Sequence, residues 1–226
     1  MSVWAVLVAA GKGERLAAGR PKAFARLGGR PLLAESLERL EASDWIEAIV
    51  VVCPEGWEEP AILLAEELGL GKVTAAVTGG PSRAESVRAG VAEVAEDAVA
   101  ILVHDAARPL LPEVVIERVL VPLGEGWDGA VPALPVADTV KRVEGERVVE
   151  TLSRQGLAVV QTPQAFAAPV LRDALQGDIA YASDCSSLVE AKGGQVKAVP
   201  GDRRLLKVTT QDDLALVESL LSRGQA

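Results

Sequence analysis

Three clusters in this 226-residue chain have residue types and spacings suited to phosphate chemistry. The first is Gly11-Lys12-Gly13-Glu14-Arg15, followed by Arg20-Pro21-Lys22. Glycines at 11 and 13 let the backbone approach a ligand and turn its amides toward an anion. Arg15 and Lys22 add fixed positive charge, so the segment reads as a polyphosphate cradle. The second cluster is His104-Asp105-Ala106-Ala107-Arg108-Pro109. Mg²⁺ takes oxygen ligands, commonly one or two carboxylates together with substrate phosphates, and Asp105 suits that role. Ala106 and Ala107 leave room beside it, and Arg108 can pair with a phosphate. In the third cluster, Val77-Thr78-Gly79-Gly80, the paired glycines admit a planar base or a ribose against the backbone; Ser82, Arg83 and Ser86 follow.

The competing motifs fit less well. A dinucleotide-binding turn needs a third glycine where Leu16 stands, and the Gly-Lys-Ser/Thr spacing of a P-loop is absent. His104, the only histidine, has no neighbours at metal-ligand spacing and reads as a ring that packs and orients its loop. Cys53 ends an apolar run and reads as core.

These residues must be delivered by a scaffold. Apolar strand-like runs cover Trp4–Ala9, Ala48–Cys53, Val73–Thr78, Ala98–Val103, Gly129–Ala133, Leu157–Gln161 and Val196–Val199. Helical patterns lie between them. Pro31 opens one running through Leu40, and Ser82-Arg-Ala-Glu85 is a capping box for another through about Val94. Pro112 opens a third, ending near Leu120, and Thr210-Gln-Asp-Asp213 starts a last amphipathic helix over Leu214 to Leu221. Strand–helix alternation of this kind predicts an α/β fold with a doubly wound, mostly parallel sheet. In such sheets ligands bind at the carboxyl edge, where the glycine loop and Asp105 both emerge.

One stretch breaks the alternation. Asp138 to Leu152 reads as two β-prone segments around Glu144-Gly145-Glu146, a hairpin with a glycine-containing turn. Its charge is high and its apolar content thin, so it is expected to project as an arm over residues 135–156. An isolated hairpin is marginal in water, which favours packing against a second subunit. The chain as a whole, 1–226, reads as a single domain that includes this arm.

With 23 basic and 32 acidic residues the net charge is −9, which argues against nucleic acid or an anionic membrane as partner. No apolar run approaches the ~20 residues that span a bilayer, no secretory leader is evident, and two cysteines do not make a disulfide framework. A cytoplasmic setting is expected.

Several segments together resemble one family: AAGKGERL with PKAF, GGPSRAESVRAG, VHDAARP, DTVKR, QTPQAF and LLKVTTQDDLALVE, in that order across essentially the whole chain. The chain is similar to the 2-C-methyl-D-erythritol 4-phosphate cytidylyltransferases of the nucleotidyltransferase superfamily, whose fold is Rossmann-like. The resemblance implies CTP and methylerythritol phosphate as substrates, Mg²⁺ as cofactor and a homodimer formed through the arm. It implies that Arg15 and Lys22 steady charge on the α-phosphate and pyrophosphate, with Lys207 nearby. It places Ala9, Ala10, Gly11, Gly13, Gly80 and Ser86 at the nucleotide and Mg²⁺ on Asp105. Arg108, Thr139, Arg154, Thr162 and Ser183 match positions that hold the acceptor, Thr139 and Arg154 reaching the partner's site. The chain departs from the family pattern at Pro81, Ser153 and Ser183-Asp184-Cys185. The alternative acceptor is ribitol 5-phosphate, as in the sister cytidylyltransferases; Ala107, where those carry a bulkier residue, favours methylerythritol phosphate.

Overall fold

A computed structural model describes residues 2–11, 13 and 19–224. The chain runs β1 (Val3–Val8), a 3-10 turn at Lys22–Phe24, a small ribbon of β2 (Arg26–Leu27) and β3 (Arg30–Pro31), then α1 (Leu32–Glu41). It continues β4 (Ala48–Cys53), α2 (Glu58–Glu67), β5 (Val73–Thr78), α3 (Arg83–Ala92), β6 (Ala100–Asp105) and α4 (Glu113–Gly124). After β7 (Gly129–Pro135) come β8 (Val140–Glu144), β9 (Arg147–Leu152), β10 (Ala158–Val160) and β11 (Gln164–Ala167). The remainder is α5 (Ala168–Ala174), α6 (Cys185–Ala191), β12 (Val196–Pro200) and α7 (Gln211–Ser222).

The main sheet has the order β10-β7-β11-β6-β1-β4-β5, with β12 also on β7. β1 pairs in parallel with both β4 and β6, and β5 extends the parallel set beyond β4. Covered on both faces, the inner strands are continuous apolar runs, as buried parallel strands are. Residues alternate between two cores. Ala5, Leu7, Ile49, Val51 and Leu102 pack with α1, α2 and α4. Val6, Val50, Val52, Ile101 and Val103 pack with α3, α5 and α6. A smaller cluster seats α7 through Val217 against Leu27, Leu32, Leu110 and Val208. The doubly wound α/β architecture expected from the strand–helix alternation is thus present. Among the described residues no helix is long and apolar enough to cross a membrane.

Some boundaries differ from the sequence reading. β6 ends two residues later than expected, so His104 and Asp105 are still in the strand, opposite Leu7 and Val8 of β1. α4 passes the expected stop near Leu120 and contains Pro122, whose buried ring offsets the backbone hydrogen bond it forgoes in the last turn. α2, β11, α5 and α6 had no clear signal. α2 buries only Ala61 and Ala65, and the other three are short. β11 follows the cis Thr162–Pro163 bond and pairs antiparallel with β6 and β7.

The hairpin is present as a separate two-stranded sheet, β8 with β9, turning at Gly145 and carrying a bulge near Val143. Its strands are exposed almost throughout, Val143 and Val148 included.

Candidate active site

The parallel register brings three chain exits to one edge. Val8 of β1 lies opposite Val52 of β4 and Asp105 of β6, while Cys53 pairs with Thr78 at the end of β5. The backbone prolongs this alignment: Ala9 N donates to Val52 O at 2.8 Å, Ala106 N to Val8 O at 3.0 Å and Gly79 N to Cys53 O at 2.7 Å. A pocket of about 520 Å³ opens at this edge. Ala9, Ala10, Gly11 and Lys22 line it on the β1 side, Gly80, Arg83 and Ser86 on the α3 side, and Asp105 and Lys207 between. Eight of the residues predicted from sequence are therefore neighbours around one cavity.

Local packing explains why the loops close so tightly. A Cβ on Gly79 would lie 2.4 Å from the Ala10 Cβ and 2.8 Å from the Ser86 Oγ, so only glycine lets the β5 exit lie against β1 and α3. Gly13 has φ +68°, and a Cβ there would meet the Lys22 Cβ at 2.6 Å. Gly13 thus lies against Lys22 where a side chain would not fit. Arg15 lies outside the described residues. The α3 capping box forms as expected: Glu85 N donates to Ser82 Oγ at 3.2 Å and Ser82 N to Glu85 Oε2 at 3.0 Å. Ser86 is buried rather than turned to solvent, donating to the Ser82 carbonyl at 2.9 Å.

Asp105 is the electrostatic centre. Its Oδ1 accepts from Arg83 Nε at 3.0 Å and Nη2 at 2.9 Å, and its Oδ2 accepts from Lys207 Nζ at 2.8 Å. Burial works against ionisation, but the two cations prevail and hold the carboxyl well below the usual carboxylate range. A carboxylate has about four accepting positions, and one on Oδ2 remains. No group of three His, Cys, Asp or Glu side chains that could cage a metal occurs among the described residues. Mg²⁺ often relies on one protein carboxylate and completes its shell with phosphate and water, so a single carboxylate with an open oxygen position fits it.

Lys207 reaches Asp105 from a segment without regular structure, pinned on either side by buried Leu205 and Val208. Val208 N donates to Ala107 O at 2.8 Å, and Arg108 Nη1 donates to Leu205 O at 2.6 Å. Lys207 is thus presented by a loop anchored to the exit of β6. Arg108 does not line the pocket, and its buried Nε has no hydrogen-bond partner among the described residues.

His104 organises the floor. The Arg108 carbonyl 3.0 Å from Nε2 can only accept, so Nε2 carries the proton. Burial depresses the ring pKa to about 4, with Arg108 and Arg83 adding to this and Asp105 opposing. The ring is therefore neutral, and bare Nδ1 accepts from Thr162 Oγ1 at 3.1 Å. That hydroxyl in turn accepts from Asp105 N at 3.0 Å. Thr162 is buried within this network rather than lining the pocket. Ser183, Thr139 and Arg154 are exposed and outside the pocket of their own chain; Arg154 Nη1 bonds the Ala137 carbonyl across the base of the arm.

The residue that sequence reasoning passed over is Arg83. It was visible as the first residue after the α3 cap, but its pairing with Asp105 joins positions 22 apart and depends on the packing of α3 across β1, β4 and β5.

A profile of the family described as "IspD: 2-C-methyl-D-erythritol 4-phosphate cytidylyltransferase" matches residues 3–223. The chain is 45% identical over 226 residues to the 2-C-methyl-D-erythritol 4-phosphate cytidylyltransferase of Nocardia farcinica, covering 100% of this chain and 96% of that one. Among solved structures it aligns with the enzyme of the same name from Thermus thermophilus, with a TM-score of 0.78 and 34% identity over 96% of this chain and 98% of that chain. It also aligns with the 4-diphosphocytidyl-2C-methyl-D-erythritol synthase of Anaerococcus prevotii, with a TM-score of 0.84 and 25% identity over 98% and 99% of the two chains.

Proposed function

The chain belongs to the 2-C-methyl-D-erythritol 4-phosphate cytidylyltransferase family, and we propose that its sheet-edge pocket is where the transfer takes place. CMP passes from CTP to the phosphate of methylerythritol 4-phosphate, giving the cytidine diphosphate derivative and pyrophosphate. An acceptor phosphate oxygen forms a bond to the α-phosphorus in line as the bond to the bridging oxygen of pyrophosphate breaks. Such a reaction needs positioning and charge stabilisation and little acid–base help. The observation that carries this reading is the ionised Asp105, held by Arg83 and Lys207, in a pocket that Lys22 also lines.

In this reading the Ala9–Gly11 backbone, Gly13, Gly80 and Ser86 seat the nucleotide. Lys22, Arg15 and Lys207 offset charge on the α-phosphate and the departing pyrophosphate. Mg²⁺ would be held by Asp105 with phosphate oxygens and water, and when bound it supplies positive charge against the triphosphate. Arg108 and Ser183 serve the acceptor phosphate and hydroxyls, and Thr162 serves it from beneath, by fixing the Asp105 main chain and the His104 ring. Pro81, beside Gly80, has no N–H to offer the ribose or base, which leaves more of that contact to Gly80 and Ser86.

The arm is read as the dimer contact of one catalytic domain spanning 1–226. Exposed Val143, Val148 and Val149 on the hairpin and Leu157, Val159 and Val160 beyond it form apolar surface on an element that is marginal alone. A second copy packing there would cover it and bring Thr139 and Arg154 to the partner's pocket. A cytoplasmic setting suits two buried, free cysteines.

Pyrophosphate release from CTP and Mg²⁺ tests the reading, comparing methylerythritol 4-phosphate with ribitol 5-phosphate. Release with the first and none with the second is expected. Release with ribitol 5-phosphate alone would overturn the acceptor, and silence with both would overturn the transferase reading.

A further inference from the structure

The two cations on Asp105 differ in kind. Arg83 places two nitrogens of a rigid planar fork on one oxygen, at 3.0 and 2.9 Å. Its backbone is fixed as the first residue of α3 by the Ser82–Glu85 capping box. The third nitrogen, Nη1, faces the buried Cys185 Sγ at 3.8 Å. Burial pushes that thiol up to about 11, so it stays neutral and offers Arg83 no competing charge. Lys207 makes one contact of 2.8 Å through a flexible stem, and its side chain is 41% exposed against 22% for Arg83 and 8% for Asp105.

On the reading of the pocket given above, we infer that Arg83 is a positioning residue for the transfer: it locks Oδ1 of Asp105, leaving Oδ2 as the oxygen that would meet the metal carried by the incoming triphosphate, while Lys207 is the cation that releases. A planar fork is pre-organised and holds a carboxylate in one orientation, whereas an ammonium is a movable point charge. The other end of Asp105 is fixed too, since its backbone N–H is held by buried Thr162. With the main chain and one oxygen both immobilised, the second oxygen has a defined place before substrate arrives, as electrostatic stabilisation of a transferring phosphoryl group requires. Lys207, moving from Oδ2 to a phosphate, exchanges one anion for another without crossing the pocket.

The test is steady-state pyrophosphate release by Arg83→Gln and Arg83→Lys, alone and combined with Asp105→Asn, with metal-free CTP binding measured by calorimetry in EDTA. Arg83→Gln is expected to lower kcat about 100-fold, the size of effect a misplaced group near the chemistry produces. Arg83→Lys is expected to stay at least about tenfold down, because a point charge does not reproduce the fork. In the Asp105→Asn background either change is expected to cost less than about twofold more, since a residue acting only through a carboxylate loses its effect with it. Metal-free CTP affinity should stay within about twofold, the mark of a residue that contributes no ground-state binding. Full rescue by lysine, losses that multiply with those of Asp105→Asn, or weakened metal-free CTP binding would each overturn the inference. Should Arg83→Gln not fold, Arg83→Lys and its double variant carry the test. If Lys22→Ala and Asp105→Asn keep wild-type kcat, the pocket reading itself fails; if both are crippled while the Arg83 variants are not, only this inference fails.

Discussion

The sheet edge and the arm solve opposite problems. At the edge, Asp105, His104 and Thr162 are buried, and each polar atom described has its partner chosen by the fold before a ligand binds. On the arm, β8 and β9 satisfy each other's backbone but leave their valines in solvent. A buried polar network is costly unless complete, and complete it is rigid. An exposed hairpin tolerates change and gains its definition from what it packs against. The difference teaches where each half of the reaction is prepared. On the proposed reading, the nucleotide's charges meet a preset constellation, while the acceptor's contacts await assembly.

The largest effect should come from the edge. Lys22→Ala is expected to lower kcat about 100- to 1,000-fold while changing CTP affinity far less, since in the proposed role its charge acts on negative charge that develops during transfer. Steady-state kinetics with calorimetric CTP binding checks this; an unchanged kcat with only a raised KM would remove Lys22 from the transition state.

Next is packing at the same edge. Gly79→Ala forces a methyl into Ala10 and Ser86 and should cost about 1–3 kcal/mol of stability, as overpacking does. Chemical denaturation measures it, and a neutral result would mean the loops at this edge give way easily.

Acid should separate the two regions as well. His104 is neutral in the folded protein, its pKa depressed from 6.5 to about 4, chiefly by burial. Between those values the unfolded chain binds the extra proton, so stability falls as pH drops from about 6.5 to 4, by up to about 3 kcal/mol for a shift of this size. Denaturation of the metal-free protein across that range tests it. A flat profile would contradict the burial of a neutral ring.

The smallest effect on folding should come from the arm. Val143→Asp with Val148→Asp is expected to change the stability of the isolated protomer by less than about 0.5 kcal/mol, as exposed substitutions do, yet to weaken self-association and activity together. Sedimentation beside pyrophosphate release decides. A fully active monomer would detach the arm from catalysis.

The sequence carried the edge more fully than the details that arm it. β4 and β5 have the bounds their apolar runs predict, the Ser82–Glu85 capping box opens α3, and α7 starts after Thr210 as expected. Local signals of that kind survive because strand burial and helix caps are decided by neighbouring residues. Arg83 and the His104–Thr162 link were not legible, since each joins segments distant in sequence. α2 was missed because its few buried positions leave little amphipathic pattern, and β11 because Pro163 precedes a four-residue antiparallel strand. Lys207, Thr139, Arg154, Thr162 and Ser183 are identified only through the family resemblance; of these only Lys207 meets the pocket of its own chain.

The most direct test of an edge that acts on CTP and an arm that completes the partner's site is complementation between two crippled variants. Lys22→Ala and Arg154→Ala are prepared separately, each with little activity, then mixed under conditions that allow subunit exchange. A mixed dimer would carry one intact site, so activity should rise toward about a quarter of wild type at equal mixing in a two-fold dimer. No rise in activity, with exchange verified, would mean that Lys22 and Arg154 act within one chain or that Arg154 does not serve the reaction.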